Sequence, residues 1–296
     1  MNLGSPTLDQ LRIFLAVHDE GSFNAAARKL GRAVSVISYG ITALESQLAV
    51  KLFDREGSRR PETTDAGRSL LSAARVVMDE TDRLMARVRS INAGVETQVS
   101  IVLDVMVPFD TISVILRDFQ QAFPLVDLRL HVEALGAVAA LAIDGRADLA
   151  IAGPEILDLP ELDRKEVGCI ELIPVAAPNH PLAQMEMIKP GQARQYLQLV
   201  LTDRSNYTDG REFSVLSPRN WRLADLGAKH ELLVGGNGWG NMPRHAVEAD
   251  ISAGRLHVLK LPEGPSVDYR LHALWRKDRL PGPATTWLMD AIEAAL

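Results

Sequence analysis

The sequence of 296 residues contains a single cysteine, Cys169. One cysteine excludes a disulfide within the chain and any metal site built from several cysteines, and we expect Cys169 to be a small buried apolar residue. No apolar run approaches the ~20 residues that a membrane-spanning helix needs. The first residues also lack the basic, apolar and small-residue segments of a secretory leader. We therefore expect a cytoplasmic protein that does not associate with a membrane.

Motifs of common enzyme classes are missing as well. The sequence has no Walker A motif, no His-Glu-x-x-His and no Gly-x-Ser-x-Gly, and its seven histidines show no metal-ligand spacing. The glycine-rich run at 235–240 departs from a dinucleotide-binding fingerprint because Asn241 follows it and because a predicted helix, not a strand, precedes it. These absences predict a protein without catalytic activity, cofactor or bound metal.

Composition is typical of a globular protein, with 47% hydrophobic and 24% charged residues, and the length suggests two or three compact units. The net charge of −6 argues against nucleic-acid binding. Its distribution is uneven, however, because residues 21–60 contain seven basic and three acidic residues, a net charge of +4 that leaves −10 on the rest. This asymmetry indicates a partner with phosphate groups at the N-terminal end.

Three short helices are predicted in the first 50 residues. Thr7 and Gln10 form a capping-box pattern at the start of the first helix, and Gly21 ends it. Ser22 is a suitable cap for the second helix, and Gly31 provides a tight turn into the third. The second and third helices therefore read as a helix-turn-helix.

The outward face of the third helix carries small and hydrogen-bonding side chains that fit a DNA major groove. A short hairpin with a basic tip follows, which suits a wing that contacts phosphates or the minor groove. The alternative is that the three helices only pack together without touching DNA. The residues that we assign to DNA binding are Ser22, Arg32, Val34, Ser35, Ser38, Tyr39, Thr42, Arg55, Arg59 and Arg60.

A long helix is predicted over residues 65–92, which contain no proline. Its apolar residues alternate at spacings of four and three, the pattern of a coiled-coil seam. We expect this seam to pair with a second copy of the chain, although packing within its own domain is the alternative. The seam residues that we assign to dimerisation are Leu70, Ala74, Val77, Leu84, Val88 and Ile91.

The remaining two thirds alternate between strand and helix patterns, which predicts an α/β domain with a mainly parallel sheet. Ligands of such sheets bind beyond the carboxyl ends of the strands, and the segments there combine apolar and neutral polar side chains. We therefore expect a small organic effector with an apolar part. The residues that we assign to effector binding are Met106, Val107, Pro108, Gly153, Thr202, Asp203, Ser205, Gly238 and Trp239.

Residues 14–67 resemble the winged helix-turn-helix of LysR-type transcriptional regulators, and the whole chain is similar to that family in length and order of elements. The matching residues are Ala26, Ala27, Leu30, Ser38, Ile41, Leu44, Glu45, Leu48, Leu52, Phe53, Arg55, Thr64 and Gly67. Two departures are evident. Ala33-Val34-Ser35 stands where the family usually has Ser/Thr-Gln-Pro, so Arg32 or Ser35 has to satisfy the helix start. Met106 and Val107 stand where the family often has a Ser or Thr that holds an effector carboxylate.

The resemblance implies a regulator with a DNA-binding domain at 1–64, a linker helix at 65–93 and two subdomains like those of periplasmic binding proteins. These subdomains would comprise 97–166 with 270–296, and 167–269. The implied partners are double-stranded DNA with an interrupted palindromic operator, a small organic effector, and further copies of the chain in a homodimer or a dimer of dimers. The alternatives are a solute-binding module and an α/β enzyme without a recognisable motif.

Overall fold

The computed structural model describes residues 4–54, 61–154, 159–205, 207, 211, 213–264 and 266–296. The chain forms two compact units, Met1–Arg89 and Ser90–Leu296. Most of the predicted linker helix therefore groups with the N-terminal unit instead of standing as a separate domain. Among the described helices, none combines the length and the apolar character that a membrane span requires.

The N-terminal unit begins with three helices whose ends follow the predicted signals. Thr7 and Gln10 form the capping box, and the Ser22 hydroxyl accepts the Ala25 N–H at 3.1 Å. Gly21 and Gly31 end the first two helices in the left-handed conformation. The elements are α1 Leu8–Glu20, α2 Phe23–Leu30, α3 Val34–Leu48, β1 Phe53–Asp54, β2 Glu62–Thr63 and α4 Asp65–Asn92.

The helices approach closely because small residues lie at their contacts. A Cβ atom on Gly40 of α3 would lie 2.7 Å from Ile13 Cδ1 of α1, so any larger residue would push these helices apart. Phe14, Ile41 and Leu44 fill the shared core. This packing fixes the orientation of α3 and leaves its opposite face to solvent.

The base of the β1–β2 hairpin is tied to the helices by two polar residues. Glu45 of α3 is buried, and its Oε1 accepts the N–H groups of Leu52 at 2.8 Å and Phe53 at 3.2 Å. The Thr64 hydroxyl accepts the Gly67 N–H at 3.0 Å and so caps α4. The hairpin base and α4 are thereby anchored to α3.

The C-terminal unit contains one sheet with the strand order β4-β3-β5-β11-β6-β9-β7-β8, and β10 pairs with β6. Strands β4, β3 and β5 are parallel on one side, and β9, β7 and β8 are parallel on the other. The strands are β3 Gln98–Asp104, β4 Asp127–Glu133, β5 Leu149–Ala152, β6 Leu162–Ala176, β7 Gln198–Leu201, β8 Asn220–Leu223, β9 Trp239–Pro243, β10 His257–Val258 and β11 Val267–Arg276. The helices are α5 Phe109–Ala122, α6 Gly136–Ile143, α7 Leu226–Val234, α8 Arg244–Ser252 and α9 Pro283–Ala295.

Strands β6 and β11 are antiparallel partners along the whole of β11 and join the two parallel halves of the sheet. The expected boundaries between the two subdomains, at 166–167 and 269–270, fall within these two strands. The expected burial of Cys169 is wrong: it lies on β6 with its side chain exposed. The side chains of a strand alternate between faces, so Ile170 enters the core while Cys169 faces solvent.

Candidate DNA-binding surface and effector cleft

The outward face of α3, which is the predicted DNA-binding surface, is exposed to solvent. Tyr39 is 76% exposed, Val34 and Ser35 are also exposed, and the exposed Thr42 donates a 3.0 Å hydrogen bond to the Ser38 carbonyl. The structure adds Val36, which is exposed beside them. The 3.6-residue period of the helix would have identified this position, because Val36 lies one turn before Tyr39.

Two residues assigned to DNA binding have partners within the N-terminal unit. Ser22 caps α2, and Arg32 Nη1 lies 2.7 Å from Asp9 Oδ2, an ion pair that lowers the pKa of Asp9. No side chain caps the start of α3, so neither Arg32 nor Ser35 takes the capping role that the sequence suggested. An uncapped helix N-terminus favours a phosphate oxygen. Arg55, Arg59 and Arg60 lie outside the described residues.

The predicted seam of α4 has two parts. Leu70 and Ala74 pack into the core of the N-terminal unit, where Ala74 is 4% exposed, so Ala74 is not available to a partner copy. The reason is that the first turns of α4 lie against the first and third helices, along an apolar groove of about 170 Å³. Val77, Leu84, Val88 and Ile91 are exposed, and these four form the part of the seam that remains open.

Two small cavities lie at the carboxyl ends of the parallel strands of the C-terminal unit. The larger, of about 130 Å³, is lined by Thr202, Asp203 and Ser205 after β7, and Ser205 Oγ donates to Asp203 Oδ2 at 2.7 Å. The smaller, of about 50 Å³, includes Met106 after β3. Both are lined by Leu135, Val200, Leu201 and Phe213. We call this pair of cavities the effector cleft.

A buried carboxylate, Asp104, lies beneath the cleft at the end of β3. Its Oδ1 accepts the Met106 N–H at 2.8 Å, its Oδ2 accepts the Tyr269 hydroxyl at 3.0 Å, and the Leu135 backbone also donates to it. Burial raises the pKa of Asp104 to about 6 despite these bonds. The Met106 N–H, a backbone donor in the loop that was expected to face an effector, is therefore already bonded to Asp104.

A buried lysine faces the same cleft. Lys229 of α7 is 3% exposed, lines the smaller cavity and donates from Nζ to the Asn241 carbonyl at 2.6 Å. Desolvation lowers the pKa of Lys229 to about 7. Sequence reasoning missed Lys229, and it also missed Asp104 and Tyr269. Asp104 was detectable as a charge at the carboxyl end of an apolar strand, whereas the positions of the other two depend on tertiary packing.

Trp239 and Gly238 do not belong to the cleft, which corrects the prediction from the glycine-rich run. The Trp239 side chain is fully buried, and its Nε1 donates to the Ala193 carbonyl at 3.2 Å. A Cβ on Gly238 would lie 2.6 Å from the Leu197 carbonyl oxygen. Trp239 pairs in register with Gln198 at the start of β7, and neither Gly238 nor Trp239 lines either cavity.

Three further residues assigned to effector binding line neither cavity of the cleft. Val107 is buried in the main core of the unit, Pro108 precedes the first turn of α5, and Gly153 is buried after β5. The loop after β3 turns back on itself through the Val107 N–H, which donates to the Asp104 carbonyl at 3.0 Å. This turn places Met106 at the cleft and Val107 in the core.

Two family models match the chain. Residues 8–68 match the bacterial regulatory helix-turn-helix protein of the lysR family, and residues 92–296 match the LysR substrate binding domain. The HTH-type transcriptional regulator YhaJ of Escherichia coli is 31% identical over 299 residues, which cover 97% of this chain and 95% of the relative. AceR of Acinetobacter baumannii is 27% identical, with 96% of this chain and 95% of the relative covered.

Solved structures share the fold over nearly the whole chain. CbnR, a LysR family transcriptional regulator, has a TM-score of 0.55 at 20% identity, with 97% of this chain and 99% of CbnR covered. Full-length LysG from Corynebacterium glutamicum, solved with the bound effector Arg, has a TM-score of 0.51 at 22% identity, with 98% and 97% covered. This protein belongs to the LysR family of transcriptional regulators, which bind DNA operators and small-molecule effectors and form oligomers.

Proposed function

We propose that this regulator reads its operator through the outer face of α3 and the β1–β2 wing, and responds to a small organic molecule in the effector cleft. The observation that carries this proposal is the position of the cleft. It lies at the carboxyl ends of β3 and β7, which belong to opposite halves of the sheet.

The DNA-binding part rests on exposure and charge. The outer face of α3 presents Val34, Ser35, Val36 and Tyr39 to solvent, and short or flat side chains of this kind enter a major groove without a clash. Residues 21–60 also have a net charge of +4, which favours a polyanion. Arg59 and Arg60 would add phosphate contacts from the tip of the wing.

The effector part rests on the two halves of the sheet. We assign 97–166 with 270–296 to one subdomain and 167–269 to the other, with β6 and β11 as the connection. A molecule that touches Met106 on one side and Thr202 on the other favours one arrangement of these subdomains. The effector thus binds one arrangement more tightly than the other. This difference in affinity between the two arrangements couples effector binding to DNA binding. LysG, which has the same fold, binds the effector Arg.

The assembly is proposed to be a homodimer through the exposed seam of α4, and further a dimer of dimers. Four apolar residues in this seam are exposed to water, and a second copy would cover them. A two-fold dimer matches an interrupted palindromic site on double-stranded DNA. We place the protein in the cytoplasm, where its operator is accessible, and we assign it no catalytic activity because its relatives are transcriptional regulators.

The test uses gel-shift assays with the DNA upstream of the protein's own gene, together with a thermal-shift screen of metabolites. We expect nanomolar to micromolar binding that Tyr39→Ala weakens at least tenfold and that a compound from the screen alters. Tyr207→Ala is the matched control, since Tyr207 is also an exposed tyrosine and lies in the C-terminal unit. Equal DNA affinity in wild type and Tyr39→Ala would remove α3 as the reading helix.

A further inference from the structure

Lys229 is a cation for which the described part of the chain supplies no countercharge. Its Nζ has one hydrogen-bond acceptor in the described part of the chain, the Asn241 carbonyl, and no described carboxylate lies within 4.0 Å of it. An ammonium has three donors, so two remain for another partner. Since Lys229 lines the smaller cavity of the effector cleft, these donors are available to a molecule bound there.

The surroundings of Lys229 explain why its charge is uncompensated. On α7, the neighbouring His230 is paired with Asp250 at 2.8 Å. Of the strands packed against α7, β7 and β9 carry no ionisable side chain, and Glu171 of β6 is paired with Arg244. Arg222 of β8 is a further cation, and it lines the larger cavity.

Among the described residues, the opposite wall of the smaller cavity does not supply a negative charge either. Asp104 lies beneath that wall, and its oxygens accept hydrogen bonds from the Met106 N–H and from the Tyr269 hydroxyl. These bonds satisfy Asp104 locally. The smaller cavity therefore presents an amine, a phenol, and neutral polar and apolar side chains to its occupant, whereas the carboxylate of Asp203 lines the larger cavity.

The chain also makes specific room for Lys229. A Cβ on Gly240 would lie 3.2 Å from Lys229 Cε and 2.5 Å from the Leu199 carbonyl oxygen. Glycine at position 240 thus lets β9 pack against β7 while the lysine stem passes beside it. This is a structural role for part of the glycine-rich run at 235–240.

We propose that the Lys229 ammonium binds the anionic group of the effector in the smaller cavity, and that binding is coupled to protonation of Lys229. The proposal deepens the effector role given above and rests on it. A carboxylate is the simplest group of this class. Its small size fits a cavity of about 50 Å³, and the rest of the molecule would extend past Phe213 toward Thr202 and Ser205.

The coupling follows from the sign of the pKa change. Desolvation holds the pKa of Lys229 at about 7 when the cleft is empty, so at pH 8 only about a tenth of the molecules carry the charge. An anion binds the charged form and raises the pKa toward its ordinary value. Affinity for a carboxylate should therefore be constant below pH 7 and fall up to about tenfold per pH unit above it.

The experiment uses the full-length protein with formate, acetate, propionate and benzoate as probes, each compared with its primary amide at constant ionic strength. Lysine labelled with ¹³C at Cε reports the titration of Lys229 by NMR, and the resonance is assigned by its loss in Lys229→Gln. We expect at least one carboxylate to raise the titration midpoint by a pH unit or more, while its amide leaves it unchanged.

Affinity provides the second readout. Lys229→Gln should weaken carboxylate binding at least tenfold and abolish its pH dependence, and Lys229→Met should do the same. Lys165→Gln, which removes an exposed lysine on β6, should bind like wild type. Both Lys229 variants remove a desolvated charge and should fold, which retention of the wild-type thermal midpoint would verify.

Three results would overturn the proposal: no carboxylate of the panel shifts the Lys229 titration, amides bind as tightly as carboxylates, or affinity rises with pH. A gel shift on the same samples separates this outcome from failure of the proposed function. If the protein binds its operator but no carboxylate shifts the titration of Lys229, only the Lys229 assignment fails. If carboxylates shift Lys229 but the operator is not bound, the DNA-binding assignment fails instead.

Discussion

The Tyr269 hydroxyl donates a 3.0 Å hydrogen bond to Asp104 Oδ2, and this bond joins β3 to β11 beneath the effector cleft. The two residues are 165 positions apart in the chain. Because Asp104 also accepts the Met106 N–H, the carboxylate holds the loop that begins the cleft wall. The protonation of this one group therefore bears on both stability and the shape of the cleft.

The first prediction concerns Asp104 and pH. Its pKa in the folded protein is raised to about 6 from 3.8, so its stability contribution is present below pH 4 and is lost as pH rises through 6. Relative to Asp104→Asn, wild type should lose about 3 kcal/mol of unfolding free energy between pH 3 and 8. Urea titrations followed by tryptophan fluorescence measure this, since all four tryptophans lie in the C-terminal unit.

The second prediction concerns the partner of Asp104. Tyr269→Phe removes the hydroxyl that stabilises the charged carboxylate and should cost about 1.5–3 kcal/mol at pH 8. The loss should be smaller at pH 5, where Asp104 is mostly neutral. Tyr207→Phe is a control in the same unit with an exposed ring. A loss from Tyr269→Phe that is equal at both pH values would mean that the hydroxyl does not respond to the charge of Asp104.

A third prediction replaces the sensing role that the sequence suggested for Trp239. Trp239→Ala should destabilise the C-terminal unit by about 3–5 kcal/mol because the side chain is fully buried. Trp239→Phe should lose about 1 kcal/mol with the hydrogen bond to the Ala193 carbonyl and should keep its response to effector. If a folded Trp239→Phe protein lost its response to effector, Trp239 would have to be assigned to effector binding after all.

The fourth prediction concerns the seam of α4. Leu84 is 60% exposed, so Leu84→Arg should leave the fold of the single chain intact while it separates the dimer. Asp82→Arg, on the opposite side of the same helix, should keep the native mass. Sedimentation velocity distinguishes the two variants. A Leu84→Arg protein that remains dimeric would exclude this seam as the interface.

The last prediction concerns the wing. Arg59→Ala and Arg60→Ala should each weaken binding to all DNA sequences and reduce the slope of log affinity against log salt by about one. Arg75→Ala removes an exposed arginine that is paired with Asp19 and should change neither quantity. Unchanged salt slopes in both wing variants would mean that these side chains make no phosphate contact.

Local signals were sufficient to predict the N-terminal unit. The capping box at Thr7, the cap at Ser22 and the turns at Gly21 and Gly31 are decided by neighbours within four residues, and the structure has all of them. The continuous pattern of α4 likewise predicted a helix over 65–92, which the structure confirms with the same bounds. Short-range hydrogen bonding and helical periodicity are properties that a sequence displays directly.

The effector cleft shows where such reasoning stops. The sequence identified segments at strand ends, and Met106, Thr202, Asp203 and Ser205 do line the cleft. It could not tell that β9 starts at Trp239 and runs parallel to β7, or that the indole is fully buried with its Nε1 donating to the Ala193 carbonyl.

The sequence by itself thus determined the helix ends, the alternation of strands and helices, and the family. Only the tertiary structure decided which wall each residue lines and which charges are buried. Lys229 and Asp104 acquire their shifted pKa values from desolvation by segments distant in the chain. Desolvation depends on what packs around a group in three dimensions, and no local pattern records it.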